Sequence, residues 1–274
     1  MDIRLFITDL DGTLFGDNGD VSEANYRAME RMTELGCRVA ISTGRTLGQI
    51  PVRLREHPSV DYIIYSNGAM IRDLRDGSDG GTLIEGDLAR RVADILDKYG
   101  CYAVIHKDGT CLVDRDSTEG ETLSRVDMPP NYRALFFKYA ARVDRLTDII
   151  RGGGLEMICV FFRSAEDSEA CARELGELRG VGFTSSTGTS WEIYAEGAGK
   201  GSAVRTLLDK LGLTPQQTVI AGDSRNDITM LAIGGNTVAM ANGHPDVKAI
   251  ASEIGCHCND GIADYVVRKY LLGK

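Results

Sequence analysis

Apolar runs that stop abruptly at polar or acidic residues recur near both ends of this chain, with helical periodicity between them. Residues 3–8 are apolar apart from Arg4 and Thr8, and the run ends at Asp9, which predicts a buried strand. A helix is predicted from Ser22, a good N-cap, to Leu35-Gly36. Then follow a strand over 37–42, a helix over 46–56 and a strand over 61–65 that ends at Ser66-Asn67-Gly68. The last quarter repeats the rhythm. A helix over 201–211 leads to a strand over 218–221, a short helix over 227–233 to a strand over 237–240, and helices near 245–251 and 261–272 close the chain. Strands alternating with helices predict a parallel sheet covered on both faces.

The middle breaks the rhythm. A helix over 87–99 precedes strands over 101–106 and 110–113. The Gly152-Gly153-Gly154 turn precedes a strand over 155–162 and a helix over 165–178, and 127–130 reads as an exposed loop. The expected class is therefore α/β: a doubly wound parallel-sheet core, 1–82 and 187–274, with an α+β cap, 83–186, inserted in it. Trp191-Glu192-Ile193-Tyr194 is expected to return the chain to the core, with hinges near Gly80-Gly81 and Gly188.

Composition narrows the partners. Lys+Arg 31 against Asp+Glu 40 gives a net charge of −9, which argues against nucleic acid or an anionic membrane. A hydrophobic share of 43% suits a globular domain. No signal-like or spanning run is visible, so the cytoplasm is expected, with a monomer or small homo-oligomer. The cysteines number seven, an odd count, mostly within apolar stretches, and are expected to be reduced. Cys256-His257-Cys258 has no second Cys/His pair at zinc-like spacing and is read as structural.

Four segments at strand ends carry chemistry. Asp9 and Asp11, two apart in extended chain, can aim at one point, and Gly12 lets the chain turn. Two close carboxylates call for a cation, and an oxygen ligand set suits Mg2+. One carboxylate can then be a nucleophile and the other move protons. Ser42-Thr43-Gly44-Arg45 offers a hydroxyl and amides at a helix start, which suit phosphate. Lys200 sits at a helix N-terminus against the dipole, which implies another task. Asp223 and Asp227, four apart, can face one site. Singly these are turns and caps; together they form an inventory for phosphoryl transfer.

Asp9-Leu10-Asp11-Gly12-Thr13, Thr43 in Ser-Thr-Gly-Arg, Lys200 in Gly-Lys-Gly and Gly222-Asp-Ser-Arg-Asn-Asp227 resemble the four motifs of the haloacid dehalogenase superfamily of phosphohydrolases. Ser66-Asn67-Gly68-Ala69, Met240-Ala-Asn-Gly243 and Asn259-Asp-Gly-Ile-Ala263 resemble its Cof-type sugar-phosphatase branch, whose cap lies between the second and third motifs. The resemblance implies a Mg2+-dependent phosphatase of small phosphorylated metabolites, sugar phosphates first among them. It implies Asp9 as nucleophile, forming an aspartyl-phosphate, and Asp11 as acid and base. Asp9, Asp223 and Asp11, through its backbone carbonyl, would hold the metal with Asp227 in support. Thr43, Gly44, Arg45, Asn67, Lys200 and Asn226 would bind phosphate or substrate. Residues 127–133 and 152–156 are candidates for contacts to the leaving group. A sugar phosphomutase is the alternative, which would need a basic cluster in the cap; Arg115, Arg125, Arg133, Arg142, Arg145 and Arg151 are scattered. A non-catalytic binding protein would have lost a catalytic residue, and none is missing.

Overall fold

The computed structural model describes residues 2–115, 128, 133, 134, 138–184 and 189–273. The chain divides into two units, one of Met1–Gly44, Ile50–Gly81 and Gly199–Lys274 and the other of Arg45–Gln49 and Thr82–Ala198.

In the first unit, β1 (Leu5–Thr8), β2 (Arg38–Ser42), β3 (Tyr62–Tyr65), β4 (Met70–Asp73) and β5 (Asp79–Gly81) share a sheet with three strands from the end of the chain. Those are Thr218–Gly222, Asn236–Ala239 and Glu253–Ile254. β1 lies between β2 and Thr218–Gly222, parallel to both, with Leu5 opposite Thr218 and Arg38. Strand order therefore reverses beside β1, the position at which open α/β sheets bind ligands. Leu5 and Ile7, two apart and so on one face, pack in one cluster with Val204, Leu207 and Leu208 of helix Lys200–Leu211. Helix Glu23–Glu34 starts as expected, with Ser22 accepting from the Asn25 amide at 3.2 Å.

One extension of this sheet was not predicted, and one expectation fails. β4 and β5 form an antiparallel extension of the sheet that no alternation marked. The helix expected over 46–56 is a turn at Leu47–Gln49 and a four-residue helix, Val52–Arg55. Pro51 lacks an amide hydrogen and pushes Ile50 out of helical backbone, so one helix cannot run through.

The second unit has its own sheet, built of β6 (Tyr102–Lys107), β7 (Thr110–Asp114), β8 (Ala141–Val143), β9 (Met157–Phe161), β10 (Val181–Thr184) and β11 (Ser190–Ala195). Their order is β10-β11-β9-β6-β7-β8, antiparallel except for β7 beside β8. Helices Gly86–Tyr99, Leu146–Gly152 and Ala165–Gly176 supply Val92, Ile150 and Leu175 to its core. Trp191–Tyr194 does not return the chain to the first unit. Ile193 and Ala195 belong to this core, and the Trp191 ring meets Phe183 edge-on at 5.3 Å while its indole N–H donates to the Ser168 hydroxyl at 2.9 Å. The chain rejoins the first unit at Gly199, and Gly188 lies outside the described residues.

His106 on β6 is buried, and burial pulls its imidazole down to about 3. The folded protein therefore keeps it neutral while the unfolded chain takes up a proton below about pH 6.5. A depressed base gives stability that is full above that value and is lost as pH falls toward the folded value. The slope is about 1.4 kcal/mol per pH unit for one proton. Denaturant unfolding of wild type and His106→Leu between pH 6 and 4 should differ in slope by about that amount; parallel slopes would contradict it.

Candidate active site

β1 delivers Asp9 to the reversal of strand order, where its amide donates to the Ala221 carbonyl at 3.0 Å. The following turn, Leu10–Leu14, is tight because Gly12 takes φ +80°. A side chain at Gly12 would fail for a second reason: its Cβ would lie 2.5 Å from Asp223 Oδ2. Glycine here lets the loop lie directly against Asp223, and Thr13 Oγ1 donates to Asp223 Oδ1 at 3.1 Å.

The helix that begins at Lys200 sends its ammonium back into the site. Lys200 Nζ donates to Asp9 Oδ1 at 2.6 Å and to Asp227 Oδ1 at 2.7 Å, all three side chains being buried. Asp227 Oδ2 accepts the amides of Asp223 and Ser224 at 2.9 and 3.0 Å, so its carboxylate pins the loop that carries Asp223. Gly222 must lack a side chain because a Cβ would lie 2.7 Å from the Asp227 carboxylate.

One carboxylate oxygen from each of Asp9, Asp223 and Asp227 lies within 4.8 Å of the others. Burial raises the Asp9 carboxyl well above its usual range; Lys200 offsets this in part, and Asp227 and Asp223 add to it. Burial, then Asp227, pushes Asp223 up to about 6, against the Thr13 hydroxyl. Burial disfavours the Lys200 charge, but Asp227 and Asp9 outweigh it and hold the amine protonated. Three carboxylates face one ammonium, so the group carries a net charge of −2 when ionised. The donors are all oxygen, the set that suits a hard divalent cation rather than a thiophilic one. Asp11, by contrast, is exposed and its carboxylate is not part of this group.

The segments expected to bind phosphate meet beside it. Thr43 is fully buried, with its amide on the Ile64 carbonyl at 2.9 Å. The Asn67 amide returns to the Thr43 carbonyl at 3.0 Å, and a Cβ on Gly44 would lie 3.0 Å from Asn67 Oδ1. Asn226 Nδ2 donates to that same Asn67 oxygen at 3.0 Å. The turn Ser66–Gly68 is strained into left-handed backbone at Ser66, Asn67 and Gly68. Gly68 accounts for its identity, since a Cβ there would lie 2.3 Å from the Gly199 carbonyl group next to Lys200. Gly44, Asn67, Lys200 and Asn226 are thereby brought together; Arg45 belongs to the second unit and donates to the Gln49 carbonyl at 3.1 Å.

Comparison with known proteins gives the family. The profile of the haloacid dehalogenase-like hydrolases matches residues 6–266. The chain belongs to that family. The family member is 27% identical to the 5-amino-6-(5-phospho-D-ribitylamino)uracil phosphatase YcsE of Bacillus subtilis (strain 168), over 99% of its own chain and 97% of that one. TM0651 from Thermotoga maritima shares its fold at TM-score 0.80 and 22% identity, with 97% of each chain covered. The subclass IIB sugar phosphatase BT4131 shares it at TM-score 0.78 and 18% identity, covering 98% of this chain and 99% of that one. The expected class, a hydrolase of phosphoric monoesters with a haloacid dehalogenase-like fold, agrees with these relatives.

Thr13 and Asn242 of this hydrolase's site were assigned no role from sequence, and Gly12 was assigned only a turn. Thr13 and Gly12 lie inside a recognised motif but act by touching Asp223. Asn242 donates to the Gly12 carbonyl at 2.7 Å, bracing the Asp9 loop from 230 residues away. The Met240–Gly243 string was noticeable, but its target was not. Among the described residues no helix is long and apolar enough to cross a membrane.

Proposed function

We propose that this chain is a Mg2+-dependent phosphatase of small phosphorylated metabolites, sugar and sugar-alcohol phosphates first. The observation that carries it is the buried Lys200 ammonium shared between Asp9 and Asp227 beside Asp223. A fixed cation next to a carboxylate at a phosphate-binding strand end is what attack on an anionic phosphoryl group needs.

Asp9, Asp223 and the Asp11 backbone carbonyl would hold Mg2+ with Asp227 in support, and the ion supplies positive charge that lets anionic nucleophile and anionic substrate approach. Lys200 fixes the Asp9 carboxylate through Oδ1. An Asp9 oxygen bonds to phosphorus as the bond from phosphorus to the ester oxygen breaks, and Asp11 gives that oxygen its proton. Water then attacks phosphorus, Asp11 takes up the water's proton, and inorganic phosphate leaves with Asp9 restored. Thr43, the Gly44 amide, Lys200 and Asn226 bind the phosphoryl oxygens, and Asn67 orients Asn226. The phosphoribityl substrate named for the relative from Bacillus subtilis makes phosphorylated sugar alcohols the first to try.

Hydrolysis is favoured over a phosphomutase because three of the six candidate arginines of the second unit are neutralised locally. Arg115 pairs with Asp144, Arg145 with Asp148, and Arg151 with both Asp94 and Asp97. Residues 152–156 are also held within that unit: Lys107 Nζ donates to the Gly153 carbonyl at 2.6 Å, and Glu156 accepts the Gly109 amide at 2.6 Å. Their role toward the leaving group, and that of 127–133, remains a proposal; of the latter only Met128 and Arg133 are among the described residues.

The test is phosphate release from a panel of sugar phosphates, phosphorylated sugar alcohols and nucleotides, with Mg2+ and with chelator. Release confined to the Mg2+ arm, and highest on the sugar and sugar-alcohol esters, is expected. Conversion of a sugar 1-phosphate to its 6-phosphate without free phosphate would instead establish the mutase.

A further inference from the structure

Cys256-His257-Cys258 lacks partners in sequence, but the fold supplies one. The loop after the Asp9 turn brings Asp17 onto the tail segment, 241 residues away from Cys258. Cys258 Sγ lies 3.6 Å from Asp17 Oδ1 and 3.6 Å from His257 Nδ1, and one donor from each residue lies within 4.8 Å of the others. With metal–sulfur bonds of about 2.3 Å and metal–nitrogen or –oxygen bonds of about 2.0–2.1 Å, a tetrahedral ion sets its sulfur-to-nitrogen and sulfur-to-oxygen edges at about 3.6 Å. Both measured edges meet that value.

The surroundings orient these donors. Asn259 Nδ2 donates to Asp17 Oδ2 at 2.7 Å and Asn259 Oδ1 accepts the Asp17 amide at 2.9 Å, a two-point clamp that leaves Oδ1 turned to sulfur. Cys258 is buried, His257 half-buried and Asp17 exposed, so the group has a sheltered thiol and an open side for entry and for a fourth, water ligand. Occupation costs the thiol proton and the long 3.3 Å contact from the Asn259 amide to His257 Nδ1.

We propose that Asp17, His257 and Cys258 form a second cation site, selective for zinc-like borderline-soft divalent ions and separate from the all-oxygen group at Asp9, Asp223 and Asp227. Sulfur and imidazole donors favour such ions over Mg2+. The site ties two loops distant in sequence, and it is wired to the nucleophile loop. The Cys258 amide donates to Asn242 Oδ1 at 2.9 Å, and Asn242 Nδ2 donates to the carbonyl of Gly12 at 2.7 Å. An ion held there therefore braces the loop that carries Asp9 and Asp11, and binding to the folded state raises the melting temperature.

The test is titration of the full chain with Co2+ in excess Mg2+ and a phosphine reductant, read by absorption. One equivalent is expected to produce a near-ultraviolet thiolate-to-Co2+ band with strong tetrahedral visible bands, both discharged by Zn2+. Cys256→Ser should keep the band and Cys258→Ser should lose it. Asp17→Asn, an exposed and nearly isosteric change that spares the fold, should weaken Co2+ at least about 10-fold. Absence of a thiolate band in the wild type, its survival in Cys258→Ser, or unchanged affinity in Asp17→Asn would overturn the site.

Discussion

Asp9→Asn is expected to lower phosphate release at saturating Mg2+ by roughly 10³-fold or more, the scale of losing a nucleophile. The amide keeps the shape of the carboxylate but is not a nucleophile, and Lys200 retains Asp227 as a partner. Stability should move the other way. Burial raises the Asp9 carboxyl, so its ionised form is disfavoured in the folded protein, and the neutral amide resembles the favoured form. In chelator at pH 8 the variant should therefore melt at or above the wild-type temperature. Lost activity together with retained or increased melting temperature separates a chemical role from a structural one. Wild-type release by the variant would remove Asp9 from the mechanism.

Lys200→Met is expected to be the most damaging single change to the fold of the site. Methionine fills similar space, but Asp9 and Asp227 then lose their shared buried cation. Breaking a buried ion pair from one side costs about 3–5 kcal/mol. The group's charge when ionised moves from −2 to −3, since one ammonium leaves three carboxylates. Two consequences follow in urea unfolding. Mg2+ should restore more stability to the variant than it adds to the wild type, because a divalent ion takes over the missing charge. Without Mg2+ the carboxylates should take up a proton in the folded state, so the folded variant binds more protons than its unfolded chain. Stability of that kind falls as pH rises, and the deficit against wild type should grow between pH 6 and 8. A pH-independent deficit with no extra response to Mg2+ would mean that Lys200 is only packing.

The strands that carry the site were legible because each is a short apolar run cut off by chemically distinctive residues. Asp9, Thr43 and Asp223 sit where such runs end, Lys200 opens the helix Lys200–Leu211, and the fold brings Asp9 and Lys200 into contact. Strand Ser190–Ala195 was misplaced because its sequence says that it is a strand but not which sheet it joins; Phe183 and Ser168 decide that. The break at Pro51 was legible in principle and was overridden by apolar spacing on either side. The meeting of Asp17 with His257 and Cys258 was not legible at all. Pairing across 241 residues leaves no local periodicity, and each residue alone passes for an ordinary loop residue.

The central position of β1 also sets the order of events on the ribosome. Arg38 on β2 can pair with Leu5 early, but Thr218, on the other side, lies 213 positions later (218 − 5). At roughly 5–20 residues per second, the nascent chain holds an unpaired apolar edge for about 10–40 s. Such an edge invites pairing with other chains. The second unit, whose strands lie within Tyr102–Lys107 to Ser190–Ala195, emerges whole before that edge is covered. β1, made before both strands that flank it, is therefore completed late, and translation stalls or truncations before residue 218 expose the segment that ends in Asp9.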